Sequence, residues 1–136
     1  MTDPPRPPGR EAVRWSYDPA PDVPAGLRRR LAPVLAAWEI AADVAEDVLL
    51  VVTELAANVV DHARTPFEIS LERMPGVLRI AVRDGSSRLP EPRDLDPAAA
   101  RGRGLLVVQA VCRTWGYELH AAGARTGKTV TAELAG

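Results

Sequence analysis

The chain has 136 residues, enough for one compact domain with a buried core and too few for a second. Its hydrophobic fraction of 46% is ordinary for a globular protein, but aromatics make up only 4%, so the core must be built from Val, Leu, Ala and Ile. A formal net charge of −1 gives no long-range pull toward nucleic acid or an anionic membrane.

Residues 1–10, Met-Thr-Asp-Pro-Pro-Arg-Pro-Pro-Gly-Arg, are rich in proline and nearly without apolar side chains. Such a segment cannot bury enough surface to offset the entropy of ordering, so we expect a disordered tail before a single domain over 11–136. No apolar signal segment opens the chain and no apolar run is long enough to span a bilayer, which points to a cytoplasmic protein. Val13, Trp15 and Tyr17 alternate with charged or small residues and predict a short strand. From Val23 to Glu39 the spacing of Leu27, Leu31, Val34, Leu35 and Trp38 is helical, with a kink or break expected at Pro33.

Asp43 to Arg64 is the longest clean helical pattern, stopped by Pro66. Phe67, Ile69 and Leu71 alternate, as do Leu78, Ile80 and Val82, and Met74-Pro75-Gly76 between them predicts a hairpin. Residues 85–103 have many breakers and no period, which predicts a long irregular loop of the kind that forms functional lids. Gly104 to Arg113 reads as a helix opened by glycine. Trp115, Tyr117 and Leu119, then Val130, Ala132 and Leu134 opposite Thr129, Thr131 and Glu133, predict a second hairpin turning around Gly123 and Gly127. The order β-α-α-β-β-loop-α-β-β implies an α+β two-layer sandwich: a mixed, largely antiparallel sheet covered on one face by helices.

Cys112 is the single cysteine, so neither an internal disulfide nor a cysteine-rich metal site can form, and its apolar neighbours predict a buried, inert thiol. Among the 17 basic residues only Lys128 is a lysine, so phosphate contacts would come mainly from arginine, backbone N–H groups or a metal.

Three clusters carry chemistry. At about 100° per residue, Glu54, Asn58 and Asp61 share one stripe of a helix otherwise rich in Val, Leu and Ala. A solvated face explains such a stripe in a generic helix. The apolar flanks Val51-Val52 and Val59-Val60 favour a site, where a carboxylate and an amide can hold a hydrated cation and position a nucleophile. Asp84 and Gly85 fall at the end of a predicted strand; an Asp-Gly turn accounts for them equally well. Arg101-Gly102-Arg103-Gly104-Leu105 opens a helix, where free N–H groups and the helix dipole suit an anion, and loop flexibility is the alternative. Gly123-Ala124-Arg125-Thr126-Gly127-Lys128-Thr129 is one residue short of a P-loop and lacks room for its helix, so that reading is rejected.

Taken in order, these clusters resemble the ATP-binding domains of the GHKL class (the Bergerat fold), in the branch of anti-sigma-factor serine/threonine kinases. Glu54-Leu-Ala-Ala-Asn58-Val-Val-Asp-His62-Ala63 resembles that family's N-box, Val82-Arg-Asp84 its adenine box, Gly102-Arg-Gly104-Leu105 its lid glycine box and Gly127-Lys-Thr129-Val its final strand. The resemblance covers about residues 11–134. It implies ATP and Mg²⁺ as ligands, with Asn58 on the metal, Glu54 orienting or deprotonating the attacking hydroxyl, and Asp84 accepting the adenine amino group. The N–H groups around Gly102, Arg103 and Gly104 would cradle the phosphates, and Thr129 would support the adenine through Asp84 or water.

By the same resemblance the protein would be a stand-alone kinase that binds and inhibits a sigma factor and phosphorylates an antagonist protein. It would act in trans as a homodimer, with no direct contact to nucleic acid or membrane. The usual Asp-x-Gly-x-Gly box is here Asp84-Gly85-Ser86-Ser87-Arg88, lacking glycine at 86 and 88, so side chains crowd the nucleotide position. The alternative is therefore a non-catalytic interaction module of the same fold with weakened or lost ATP binding. Arg28-Arg29-Arg30 is either a surface for an acidic partner or a solvated helix face.

Overall fold

The computed structural model describes residues 10–87, 104–122 and 125–136. Residues 1–9, residues 88–103 with Gly102 and Arg103 among them, and residues 123–124 lie outside the described residues. Along the chain run β1 (Ala12–Tyr17), α1 (Val23–Ala37), α2 (Ala42–Asn58) with a π-helical extension (Val59–Ala63), β2 (Phe67–Met74) and β3 (Val77–Asp84). Then follow α3 (Gly104–Val111), β4 (Thr114–Ala122) and β5 (Arg125–Ala135). The strands form one sheet in the order β1-β2-β3-β5-β4, and every pairing is antiparallel.

Alternation explains the two faces. Ile69 and Leu71 of β2, Leu78, Ile80 and Val82 of β3, and Val130, Ala132 and Leu134 of β5 are buried on the face beneath the helices. Leu27, Leu31 and Leu35 of α1 meet them, as do Val48, Val52 and Leu55 of α2, each set at helical spacing. Phe67 is the one aromatic in this described core, as the composition required. The other face carries exposed cross-strand ion pairs, Arg14–Glu68 at 3.5 Å and Arg79–Glu133 at 3.6 Å. The first hairpin closes with Met74 opposite Val77, leaving Pro75-Gly76 as a two-residue turn whose glycine sits at φ 74°, where a side chain is disfavoured.

Two expectations change. Pro33 does not end α1, which continues to Ala37. Leu31 and Leu35 anchor the helix on either side of it, and proline's exposed position leaves the missing N–H away from the core. Gly127 is not a turn residue but lies inside β5.

Within Arg28-Arg29-Arg30, Arg28 pairs with Glu46 of α2 at 3.1 Å. Arg30 lies 4.1 Å over the Trp15 ring and donates to the Tyr17 hydroxyl. Two of the three arginines therefore fasten α1 to its neighbours. Among the described residues no helix is long and apolar enough to cross a membrane.

Candidate functional site

The buried stripe of α2 leaves Asp47, Glu54 and Asn58 together on one flank, since steps of seven and four residues return to nearly the same angle. Glu54 and Asn58 are half-buried there. Beyond Asn58 the helix widens into its π turn, closed by a bond from the Arg64 N–H to the Val59 carbonyl at 2.7 Å. A wider turn advances less rotation per residue, so Asp61 falls off the Glu54–Asn58 stripe. Arg64, at φ 56°, ends the helix, and Thr65-Pro66 leads directly into β2.

Topology brings the remaining parts to the same end. The start of β2 pairs with the end of β3, Phe67 opposite Asp84, so the C-terminus of α2 and Asp84 share one end of the sheet. β4 starts at the other end, where Thr114 faces Glu133, which in turn faces Arg79. Because α3 runs into β4, its C-terminus lies at that far end. α3 packs along α2. Cys112, just past its end, feels Asp47 near the start of α2: burial, and then the Asp47 charge, push its thiol up to about 11.

Asp84 is held more tightly than an Asp-Gly turn requires. Its side chain is 1% exposed and that of Lys128, its register partner on β5, is 7% exposed. The Lys128 ammonium donates to both carboxylate oxygens, at 3.0 Å to Oδ1 and 2.9 Å to Oδ2. The Ser86 N–H adds a third bond to Oδ1 at 2.8 Å. The next residue is also tied down, since the Gly85 N–H donates to Thr65 Oγ1 at 2.8 Å. That bond joins the turn after β3 to the turn after the α2 extension. Gly127 lets β5 approach: a Cβ there would sit 2.6 Å from the Asp84 carbonyl oxygen, inside contact distance.

Thr129 occupies the opposite face. It is the register partner of Arg83, and its hydroxyl lies 2.7 Å from His120 Nε2. The β5 residue beside Asp84 is Lys128, not Thr129. Of the residues singled out in the sequence, Asn58, Asp84 and Gly85 come to one end of the sheet, with Glu54 one turn before Asn58, and Gly104-Leu105 open α3. Gly102 and Arg103 lie outside the described residues. Lys128, Thr65 and Gly127 were missed as site residues, although alternation with Val130 and Ala132 already placed Lys128 on the helix-covered face.

A cavity of about 710 Å³ also opens at these strand ends, with Asp84, Tyr17 and Phe67 of the inner face and Ser16, Glu68, Arg83 and His120 of the open face in its wall.

A five-stranded antiparallel sheet with helices on one face, and Asn58 and Asp84 at one end of it, define an α+β two-layer domain. The chain belongs to the histidine kinase-like ATPase domain family, whose match spans residues 16–133. No curated protein matches the sequence. Among solved structures, the chain is similar in fold to one in the SiaB–SiaC complex from Pseudomonas aeruginosa. That likeness has a TM-score of 0.70 at 15% identity and covers 93% of this chain and 92% of the other.

Membership of this family implies an ATP site, typically with Mg²⁺. The donor set suits a hydrated ion that shares its shell with phosphates: Asn58 offers an amide oxygen, and no group of three or more His, Cys, Asp or Glu among the described residues could cage a metal. The oxygens of Asp84, by contrast, are already engaged by Lys128 and Ser86.

Proposed function

We propose that the protein is an ATP-dependent serine/threonine kinase that binds and inhibits a sigma factor and phosphorylates the antagonist protein that releases it. The observation that carries this reading is that α2 ends at Asn58 and β3 ends at Asp84 at one end of the sheet, with Glu54 one turn before Asn58. Glu54 and Asn58 stand one turn apart on a rigid helix, as positioning of a nucleophile beside a metal-bound phosphate demands. In this reading Glu54 accepts the proton of a serine hydroxyl on the antagonist as that oxygen bonds to the γ-phosphorus and the bond to ADP breaks. Mg²⁺, when bound, neutralises the charge on the phosphate oxygens. Asn58 orients it, and the free N–H groups that open α3 face the anion. The SiaB–SiaC neighbour supports a protein partner only in the sense that a domain of this shape takes part in a two-protein complex.

Glu54→Ala should abolish phosphate transfer to the antagonist while Mg²⁺-ATP still binds by calorimetry, and Asn58→Ala should weaken the Mg²⁺-dependent part of that binding. Phosphorylation that survives Glu54→Ala removes Glu54 from the chemistry.

One observation favours a second reading, a non-catalytic interaction module. Asp84 is pinned by Lys128 and Ser86. A protein that captures its partner yet gives no heat with millimolar nucleotide would establish that reading.

A further inference from the structure

We propose that Lys128 is a specificity-determining latch on the nucleobase end of the site, holding Asp84 closed until an adenine displaces it. The inference rests on the reading of this cleft as an ATP site. A carboxylate has about four lone-pair positions. At Asp84 the Lys128 ammonium reaches both oxygens, and the Ser86 N–H takes another position on Oδ1. At 1% exposure, what remains of Oδ2 is not presented to a ligand. The nearest cover is the protein's own lysine, on the strand that Gly127 allows to lie against the Asp84 backbone.

An amino group on a base can bond to Asp84 only if the ammonium swings off at least one oxygen. The exchange replaces a charge-assisted bond by a neutral-donor one, so the closed pair subtracts directly from affinity. The subtraction depends on the base. In the pose that brings adenine's amino group to Asp84, guanine presents its carbonyl oxygen, which the freed carboxylate would repel. Lys128 is thus predicted to suppress the selectivity for adenine that an open Asp84 would give.

The test is calorimetric titration of Mg²⁺-ATP and Mg²⁺-GTP into the wild type, Lys128→Thr and Lys128→Arg, with thermal unfolding to show that each variant is folded. ATP should bind Lys128→Thr about ten- to a hundredfold more tightly than wild type, the range that one charge-assisted hydrogen bond commands. GTP should show no gain, and Lys128→Arg, which keeps a cation on Asp84, should behave as wild type. A simple loss of positive charge near phosphates would instead weaken both nucleotides together and overturns the latch. If the wild type binds ATP and Lys128→Thr binds it no better, the latch fails while the ATP site stands. If no protein binds either nucleotide, the ATP reading falls and the latch with it.

A second measurement uses the wild type alone, should Lys128→Thr not fold. The buried Lys128 ammonium should give a ¹⁵N-detected proton resonance, assigned by its absence in Lys128→Arg, that is lost on saturation with Mg²⁺-ATP. Persistence of that resonance at saturation, or its absence from the free protein, overturns the latch.

Discussion

Lys128 and Thr129 are adjacent on β5, yet they live in different solvents. Lys128 is buried under the helices with its charge matched by Asp84, while Thr129 faces the open side of the sheet and shares a hydrogen bond with His120. The period of a strand is two, so neighbouring residues never serve the same face. A motif matched along the chain can therefore land the right residue type on the wrong side of the sheet. The register of β5 against β3, with Asp84 opposite Lys128 and Arg83 opposite Thr129, decides which of the two belongs to the site.

The sharpest way to break this contrast is to remove each side chain in turn and follow urea denaturation. Lys128→Ala strips the partner from a buried carboxylate and should cost about 3 to 5 kcal/mol. Thr129→Val keeps the shape of the side chain and removes one hydrogen bond from a half-exposed position, where water reaches the histidine, so about 1 kcal/mol is expected. Equal losses at the two positions would mean that the Asp84–Lys128 pair does not form in solution.

The same contrast shows what the sequence could convey. The element order, the two hairpins and the core of Val, Leu, Ile and Ala were legible because periodicity records which face is buried, and burial drives the fold. The stripe of Glu54 and Asn58 was legible for the same reason. Asp61 was not, because nothing in the local pattern announces a π turn after Asn58. Gly127 reads as a turn glycine until β3 is placed beside it. Only then does the 2.6 Å approach to the Asp84 carbonyl explain why a side chain is missing. The hold of Thr65 on Gly85 is a contact across 20 residues that no local signal carries. Alternation with Val130 and Ala132 puts Lys128 on the inner face, but its value to the site depends on a partner 44 residues away.

The smallest predicted effect tests the packing of the end of α3 against α2. The thiol of Cys112 is raised from 9.0 to about 11, by burial first and by the Asp47 carboxylate second. A group whose folded pKa lies above its unfolded one stabilises the fold fully below the unfolded value, and that contribution is lost as pH rises through the folded value. The stability difference between the wild type and Cys112→Ser should therefore be flat below pH 9 and decline between pH 9 and about 11. Asp47→Asn removes the charge and leaves the burial, so the decline should end at a lower pH. Asp47 shares the flank of α2 that bears Glu54 and Asn58, so the Asp47 part of the shift reports the end of α3 against that flank. A pH profile indifferent to Asp47→Asn would detach the end of α3 from it.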